Sequence, residues 1–175
     1  MQVMIENKIW CELEARESKC FYKMFPANIP CECGGSENAP TIDGAILCES
    51  YEDATACVLA VAAMIENGYD ENPCWLIGMD MKDLMENVFD GTALNFTRKT
   101  FRSSFDNESL QVLKNKVVGA TVMFLSFIAP HDDATEGTEF DNAFETISSE
   151  SKDATVLWQI SLLNGADRTL DIWYR

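Results

Sequence analysis

The chain has 175 residues, 47% of them hydrophobic, enough for one good core in a domain of ordinary size. Its 29 acidic side chains against 13 basic ones give a net charge of −16, which argues against nucleic acid as a direct ligand, since phosphate binding needs a surplus of lysine and arginine. An acidic surface keeps a protein soluble, and its functional alternative is an inhibitor that imitates the charge of DNA.

Residues 1–10 carry Glu6 and no apolar run of signal-peptide length, so a cytoplasmic protein is expected, with its seven cysteines as thiols. Residues 2–13 and 20–25 mix Val, Ile, Phe, Tyr and Trp in the manner of strands. Pro26, Pro30, Gly34, Gly35 and Pro40 then break any regular element. Cys11, Cys20, Cys31 and Cys33 are spaced unlike the paired knuckles of a zinc ribbon or finger, so neither a metal nor another cofactor is expected. Gly34-Gly35-Ser36 lacks the following helix and lysine of a phosphate loop. Residues 1–46 therefore read as a strand-and-loop segment of unassigned role, ahead of a domain over 47–175.

That domain opens on its longest helix. Ser50 is placed as an N-cap, with Glu52 and Asp53 in the first turn where carboxylates suit the helix dipole. From Ala54 to Ile65 every residue but Thr55 is apolar or small, which predicts a helix with no face left for water. Leu59→Asp is accordingly expected to be severely destabilising. The apolar run is shorter than the roughly 20 residues of a membrane span, and Gly68 supplies the stop. A loop over 69–79 follows. Asp80 and Asp83 then open a second helix whose inward face is Leu84, Met85, Val88 and Phe89.

The rest of the chain is regular. Residues 92–101 read as a strand with Leu94, Phe96 and Phe101 inward. Asp106 caps a helix carrying Leu110, Leu113 and Val117 on one side. The apolar run 118–128 has the look of a central strand, covered on both faces. Thr138 is the expected cap of a helix with Phe140, Ala143, Phe144 and Ile147 on one stripe. Strands over 154–163 and 169–174 are expected to form a hairpin around Asn164-Gly165. The fold class is α+β: a central buried helix on a mixed sheet of about four strands, 92–101, 118–128, 154–163 and 169–174, with two or three further helices.

This order of elements resembles a known family once the loop is read closely. Pro73, then Leu76-Ile77-Gly78-Met79-Asp80-Met81-Lys82-Asp83-Leu84, is similar to FtsZ, the bacterial tubulin homologue, where the central helix runs into PGLIN-hydrophobic-D-x-x-D-hydrophobic. Residues 116–128 resemble the family's strand after x-GA-x-GVL, and 140–147 followed by Asp153-Ala154-Thr155-Val156-Leu157-Trp158 resemble its last helix and DANIIFG. Asp171-Ile172-Trp173-Tyr174 stands where the final strand stands. The likeness covers about 48–175. Gly78 replaces the family's asparagine, Gln159 its glycine, and one residue is inserted near Trp75.

The resemblance implies a C-terminal FtsZ/tubulin-like half without the GTP-binding half, since the GGGTGTG phosphate loop is absent from these residues. In the family the loop enters the next subunit's nucleotide pocket, where its two acids polarise the attacking water. It therefore implies a non-catalytic protein, with Gly78, Met79, Asp80, Lys82 and Asp83 as partner-binding residues. At most, its acids contribute to a partner's GTPase site. The implied partner is a filament-forming protein of the FtsZ/tubulin family, with a homo-oligomer left open; neither nucleic acid nor membrane is expected. Read without the resemblance, Asp80 as N-cap and Asp83 at N3 only satisfy orphan amides. Cys74 has no basic neighbour in sequence, and His131 sits between proline and aspartates as a solvated residue. A generic protein-binding α+β domain and the nucleic-acid mimic stand as alternatives.

Overall fold

The structure is a computed structural model that describes residues 1–28, 39–67, 75–77, 81–130, 137–151, 153–163 and 166–175. In chain order the elements are β1 (Gln2–Ile5), β2 (Lys8–Arg16), β3 (Lys19–Met24), β4 (Ile42–Leu47), α1 (Tyr51–Asn67), β5 (Trp75–Ile77), α2 (Met81–Asn87), β6 (Leu94–Phe101), α3 (Asn107–Val117), β7 (Val122–Pro130), α4 (Gly137–Ser148), β8 (Thr155–Leu163) and β9 (Arg168–Tyr174). A single 3-10 turn, Pro26–Asn28, follows β3. The chain divides into two compact units: Met1–Pro73 with Asp80–Phe96, and Cys74–Met79 with Thr97–Arg175.

In the first unit, residues 1–47 supply four successive strands of the sheet. Glu6 and Asn7 both take positive φ, 50° and 63°, the backbone of a two-residue turn whose twist matches its strands, and they close β1 onto β2. β2, β3 and β4 continue the antiparallel order. Period-two alternation puts Cys11, Leu13, Cys20, Tyr22 and Met24 on one face, all buried. α1 packs on β1, β2 and β3. The other face carries a polar row: Gln2, Glu12, Lys23 and Asp43 stand side by side across four strands, with Gln2 Nε2 donating to Glu12 Oε1 at 2.7 Å. Such a sheet needs a cover on one side only.

The helix start is as expected. Ser50 Oγ accepts from the Asp53 N–H at 3.1 Å and donates to Asp53 Oδ2 at 2.7 Å, a reciprocal cap. The expectation of a helix dry all round is corrected. Ala54, Cys57, Val58, Val61, Ala62, Met64 and Ile65 are buried, while Glu52, Thr55, Leu59, Ala63 and Glu66 form an exposed stripe at helical spacing. The cover for α1 comes from β1–β3, not from the four later strands alone. A helix lying on one sheet face turns its far side outward. Leu59 is 56% exposed, so Leu59→Asp should change the urea midpoint by no more than about 0.5 kcal/mol equivalent. Val61→Asp, at a fully buried position, should cost more than about 4 kcal/mol by the same melts, because the carboxylate has no partner there.

α2 turns Leu84 and Met85 inward, and Val88 and Phe89 directly after it are buried as well, so the expected inward set is buried although the helix ends at Asn87. Phe89 meets Tyr22 edge to face, ring centroids 5.3 Å apart. Tyr22 pairs with Gly44 in register, and its hydroxyl accepts from the Gly91 N–H at 3.2 Å. Gly91 itself has φ +92°, a conformation that favours glycine. β4 then pairs in parallel with the first residues of β6, Ile46 beside Leu94.

In the second unit β7 is central, as its two-faced hydrophobicity predicts. It pairs in parallel with β8 from Val122 beside Thr155 to Pro130 beside Leu163, and antiparallel with β9 from Met123 beside Tyr174 to Ile128 beside Thr169. β5 lies antiparallel on the far side of β8, and the later part of β6 beside β9. The mixed sheet is thus as expected, with more strands than four. The expected hairpin between the last two strands is not formed. β8 and β9 flank β7 on opposite sides, so the chain crosses β7 between them; Asn164 and Gly165 lie outside the described residues.

α3 and α4 pack together on one face of this sheet. Leu110, Leu113 and Val117 of α3, and Phe140, Ala143 and Ile147 of α4, join Met123, Leu125, Phe127, Leu170 and Ile172 in one buried cluster. Asp106 caps α3 by accepting from the Ser109 N–H at 2.8 Å. Two boundaries move. α4 begins at Gly137, so Thr138 lies within its first turn rather than capping it. Gly119, at φ +79°, turns the chain after α3, so the strand starts at Val122 and Val118 is exposed.

Candidate functional site

The loop singled out by its acids is described at its two ends. Trp75–Ile77, read as loop from sequence, is a short strand, with Trp75 beside Ser161 and Ile77 beside Ile160 on the edge of β8. Gly78, Met79 and Asp80 lie outside the described residues. Lys82 falls in the first turn of α2, as does Asp83, which is exposed. The Asp83 carbonyl accepts from Asn87 Nδ2 at 2.8 Å. Leu84 and Met85 anchor the opposite side of this turn, so the carboxylate stands on a helix start that suits negative charge.

Other residues considered from sequence behave as packing groups or fall outside the description. Cys11 and Cys20 are buried free thiols. Burial, with Cys20 nearby, pushes the Cys11 thiol up to about 12, which leaves it protonated and unreactive. Cys31, Cys33, Cys74 and His131 lie outside the described residues. Among the described residues no group of three or more His, Cys, Asp or Glu side chains is arranged to hold a metal ion. Among them, too, no helix is long and apolar enough to cross a membrane.

The strongest polar geometry in the second unit was missed from sequence. Asp171, fully buried on β9, accepts from Arg98 Nε and Nη2 of β6 at 2.6 Å each, a two-pronged ion pair. Burial pushes the Asp171 carboxyl above its ordinary range, against the pull of the guanidinium. Across the sheet Ser126 stands beside Asp171, and its hydroxyl accepts from Gln159 Nε2 at 2.9 Å. Gln159, Ser126, Asp171 and Arg98 therefore form a polar row on the face away from α3 and α4, beside the stacked rings of Phe124 and Trp173. The signal available was one charged residue inside the apolar run 170–173. A second ion pair ties a loop down: Glu139 Oε1 accepts from the Phe105 N–H at 2.7 Å and its Oε2 lies 3.4 Å from Arg168 Nη2, while Arg168 Nη1 donates to the Ser103 carbonyl and the guanidinium covers the Phe105 ring. These are structural arrangements: each carboxylate is engaged with its guanidinium.

No protein-family model matches the chain, and no curated protein matches it in sequence. Solved structures do match. A point mutant of FtsZ from M. jannaschii overlays with TM-score 0.51 at 17% identity, over 69% of this chain and 37% of that one. An empty FtsZ dimer from the same organism gives TM-score 0.51 at 16% identity, over 70% and 38%. A CetZ protofilament with GTPγS from Haloferax volcanii overlaps more loosely, with TM-score 0.47 at 10% identity, over 71% and 38%. Over the matched stretch the fold is FtsZ-like, as the resemblance in sequence implied. The chain spans 37–38% of the FtsZ chains it matches, consistent with a C-terminal-half domain.

Proposed function

We propose that this chain is a non-catalytic FtsZ/tubulin-like protein that engages a filament-forming partner through loop residues 73–83 and caps its assembly. The observation that carries this reading is the FtsZ-like fold over 69–70% of the chain, joined to a loop bearing the family's two acids, Asp80 and Asp83. Head-to-tail filaments need two complementary surfaces on every subunit. A subunit that engages the filament through the acidic-loop surface alone adds once and ends growth. Gly78, Met79, Asp80, Lys82 and Asp83 are the contact residues in this reading. The two carboxylates enter the neighbour's nucleotide site, and with Gly78 in place of asparagine they position water poorly there.

The test is a titration of the chain into polymerising FtsZ from the organism that encodes it, with filament length read by electron microscopy. Substoichiometric shortening is the expected result. Unchanged length at equimolar chain would refute capping.

A further inference from the structure

β1 closes one end of the sheet, with β2 on one side and, among the described residues, no strand on the other. An end strand leaves half of its backbone hydrogen-bonding groups open, and alternation decides which half. Met1 and Leu13 exchange both of theirs: the Leu13 N–H donates to the Met1 carbonyl at 2.8 Å, and the Met1 amine to the Leu13 carbonyl at 2.7 Å. Val3, two residues on, faces Cys11 in the same phase. The N–H and C=O of Gln2 and Met4 therefore point away from β2, along the open side. Gln2 is exposed and Met4 is 53% exposed, both on the sheet face opposite buried Val3.

Proteins ordinarily blunt such an end with a charge, a proline or a bulge in the strand. Gln2–Ile5 has neither charge nor proline. The register slip beside Val3 and Met4 is taken up by β2, where Trp10 is the extra residue, so β1 itself stays regular. Open N–H and C=O groups in a regular strand call for another extended strand. Charge decides whose. The chain carries 13 basic and 29 acidic side chains, yet residues 1–28 hold four of each, so the whole excess lies in the other residues. A second copy of this chain meets net repulsion from those residues and none from β1–β3.

We infer that β1 pairs with β1 of a second copy, antiparallel about a two-fold axis at Val3. In that register Gln2 of each copy stands opposite Met4 of the other, and each such pair exchanges two N–H to C=O bonds. Val3 meets Val3 in the non-hydrogen-bonded position between them, which carries the buried face across the axis. On the opposite face the two Met4 side chains are diagonal neighbours. No like charges meet within the paired strands, since Gln2–Ile5 carries none. The contact uses the same patch on both copies, so it closes at two. None of residues 73–83 takes part, and the inference stands apart from capping.

The test follows the full chain by sedimentation equilibrium from low micromolar to about 1 mM, a span that covers weak association. The mass should rise from 19.6 kDa, one chain, toward twice that value and level off. Amide exchange at Gln2 and Met4 should slow as the dimer fills. Met4→Pro removes an outward N–H that only the second copy uses, and an edge strand tolerates proline there. It should stay at the mass of one chain with an unchanged urea midpoint. Met4→Lys leaves the backbone intact and sets two ammonium groups across the axis, and should be monomeric too, which decides the matter if proline disturbs the hairpin. One chain's mass at about 1 mM, a mass that climbs past two chains, a dimer that survives both variants, or fast exchange at Gln2 and Met4 while the mass doubles would each overturn the inference.

Discussion

Arg98→Met is expected to destabilise the second unit by about 3–5 kcal/mol, the cost of leaving a buried charge without its partner. Asp171 is fully buried and takes both of its short hydrogen bonds from Arg98, whose own side chain is 28% exposed. Removing the guanidinium leaves a carboxylate that must stay charged in the core or bind a proton. Burial already favours the protonated form, and the loss of Arg98 strengthens that preference. The sign of the pH dependence follows. A carboxyl raised in the fold contributes stability that is full below the ordinary value of about 4, and is lost as pH rises through the folded value. The variant's deficit should therefore be smallest near pH 4 and grow toward neutrality. Urea melts followed by tryptophan fluorescence give both results. Arg98→Met combined with Asp171→Leu should recover most of the loss, since an apolar pair of fitting volume replaces a buried ion pair at little cost. A loss below about 1 kcal/mol for Arg98→Met alone would mean that the pair does not hold the polar row together.

Gly44→Val carries the second large effect, in the first unit. A Cβ at Gly44 would lie 2.2 Å from both Cζ and Oη of Tyr22, so the ring must leave its place. That ring cannot swing freely: Phe89 packs edge-on against it and the Gly91 N–H bonds its hydroxyl. Displacing it gives up the aromatic contact and the hydrogen bond and strains the sheet, about 3 kcal/mol in all. Tyr22→Ala by itself should cost about 3–5 kcal/mol as a cavity. In the Tyr22→Ala background, Gly44→Val should cost almost nothing, because the clash is gone and valine suits a strand. This strong non-additivity separates a steric lock from a general intolerance of β4. Equal costs of Gly44→Val with and without Tyr22 would show that the ring is not the obstacle.

Local patterns were readable in the sequence, and partners were not. Asp106 with Leu110, Leu113 and Val117, and the stripe Phe140, Ala143 and Ile147, identify α3 and α4 because capping and helical period are properties of adjacent residues. The apolar run of β7 likewise identifies a strand buried on both faces. Pairing order is set elsewhere. Asn164-Gly165 reads as a hairpin turn, yet β9 pairs with β7, where Leu170 and Ile172 join the α3/α4 cluster and Trp173 stacks on Phe124. β4 follows the breakers Pro26 to Pro40 and does not read as a strand; its Gly44 faces the Tyr22 ring, a contact no local pattern reveals. The apolar run of α1 concealed Leu59's exposure, since composition says how much surface is apolar and only the sheet says which side is covered. Arg98 and Asp171 lie 73 positions apart, and no spacing rule joins them. As for the candidate site, resemblance alone singled out the loop. Asp83 does stand exposed at a helix start, a place that suits any carboxylate.

Capping through the acidic loop is tested most directly by adding the chain, and separately its Asp80→Ala/Asp83→Ala form, to FtsZ of its own organism assembling with GTP. Filament length and phosphate release are followed together. The unchanged chain should shorten filaments at well below equimolar ratio while phosphate release per filament end falls, and the double variant should do neither. Shortening that persists without Asp80 and Asp83, or none from the unchanged chain at equimolar ratio, would contradict the proposed cap.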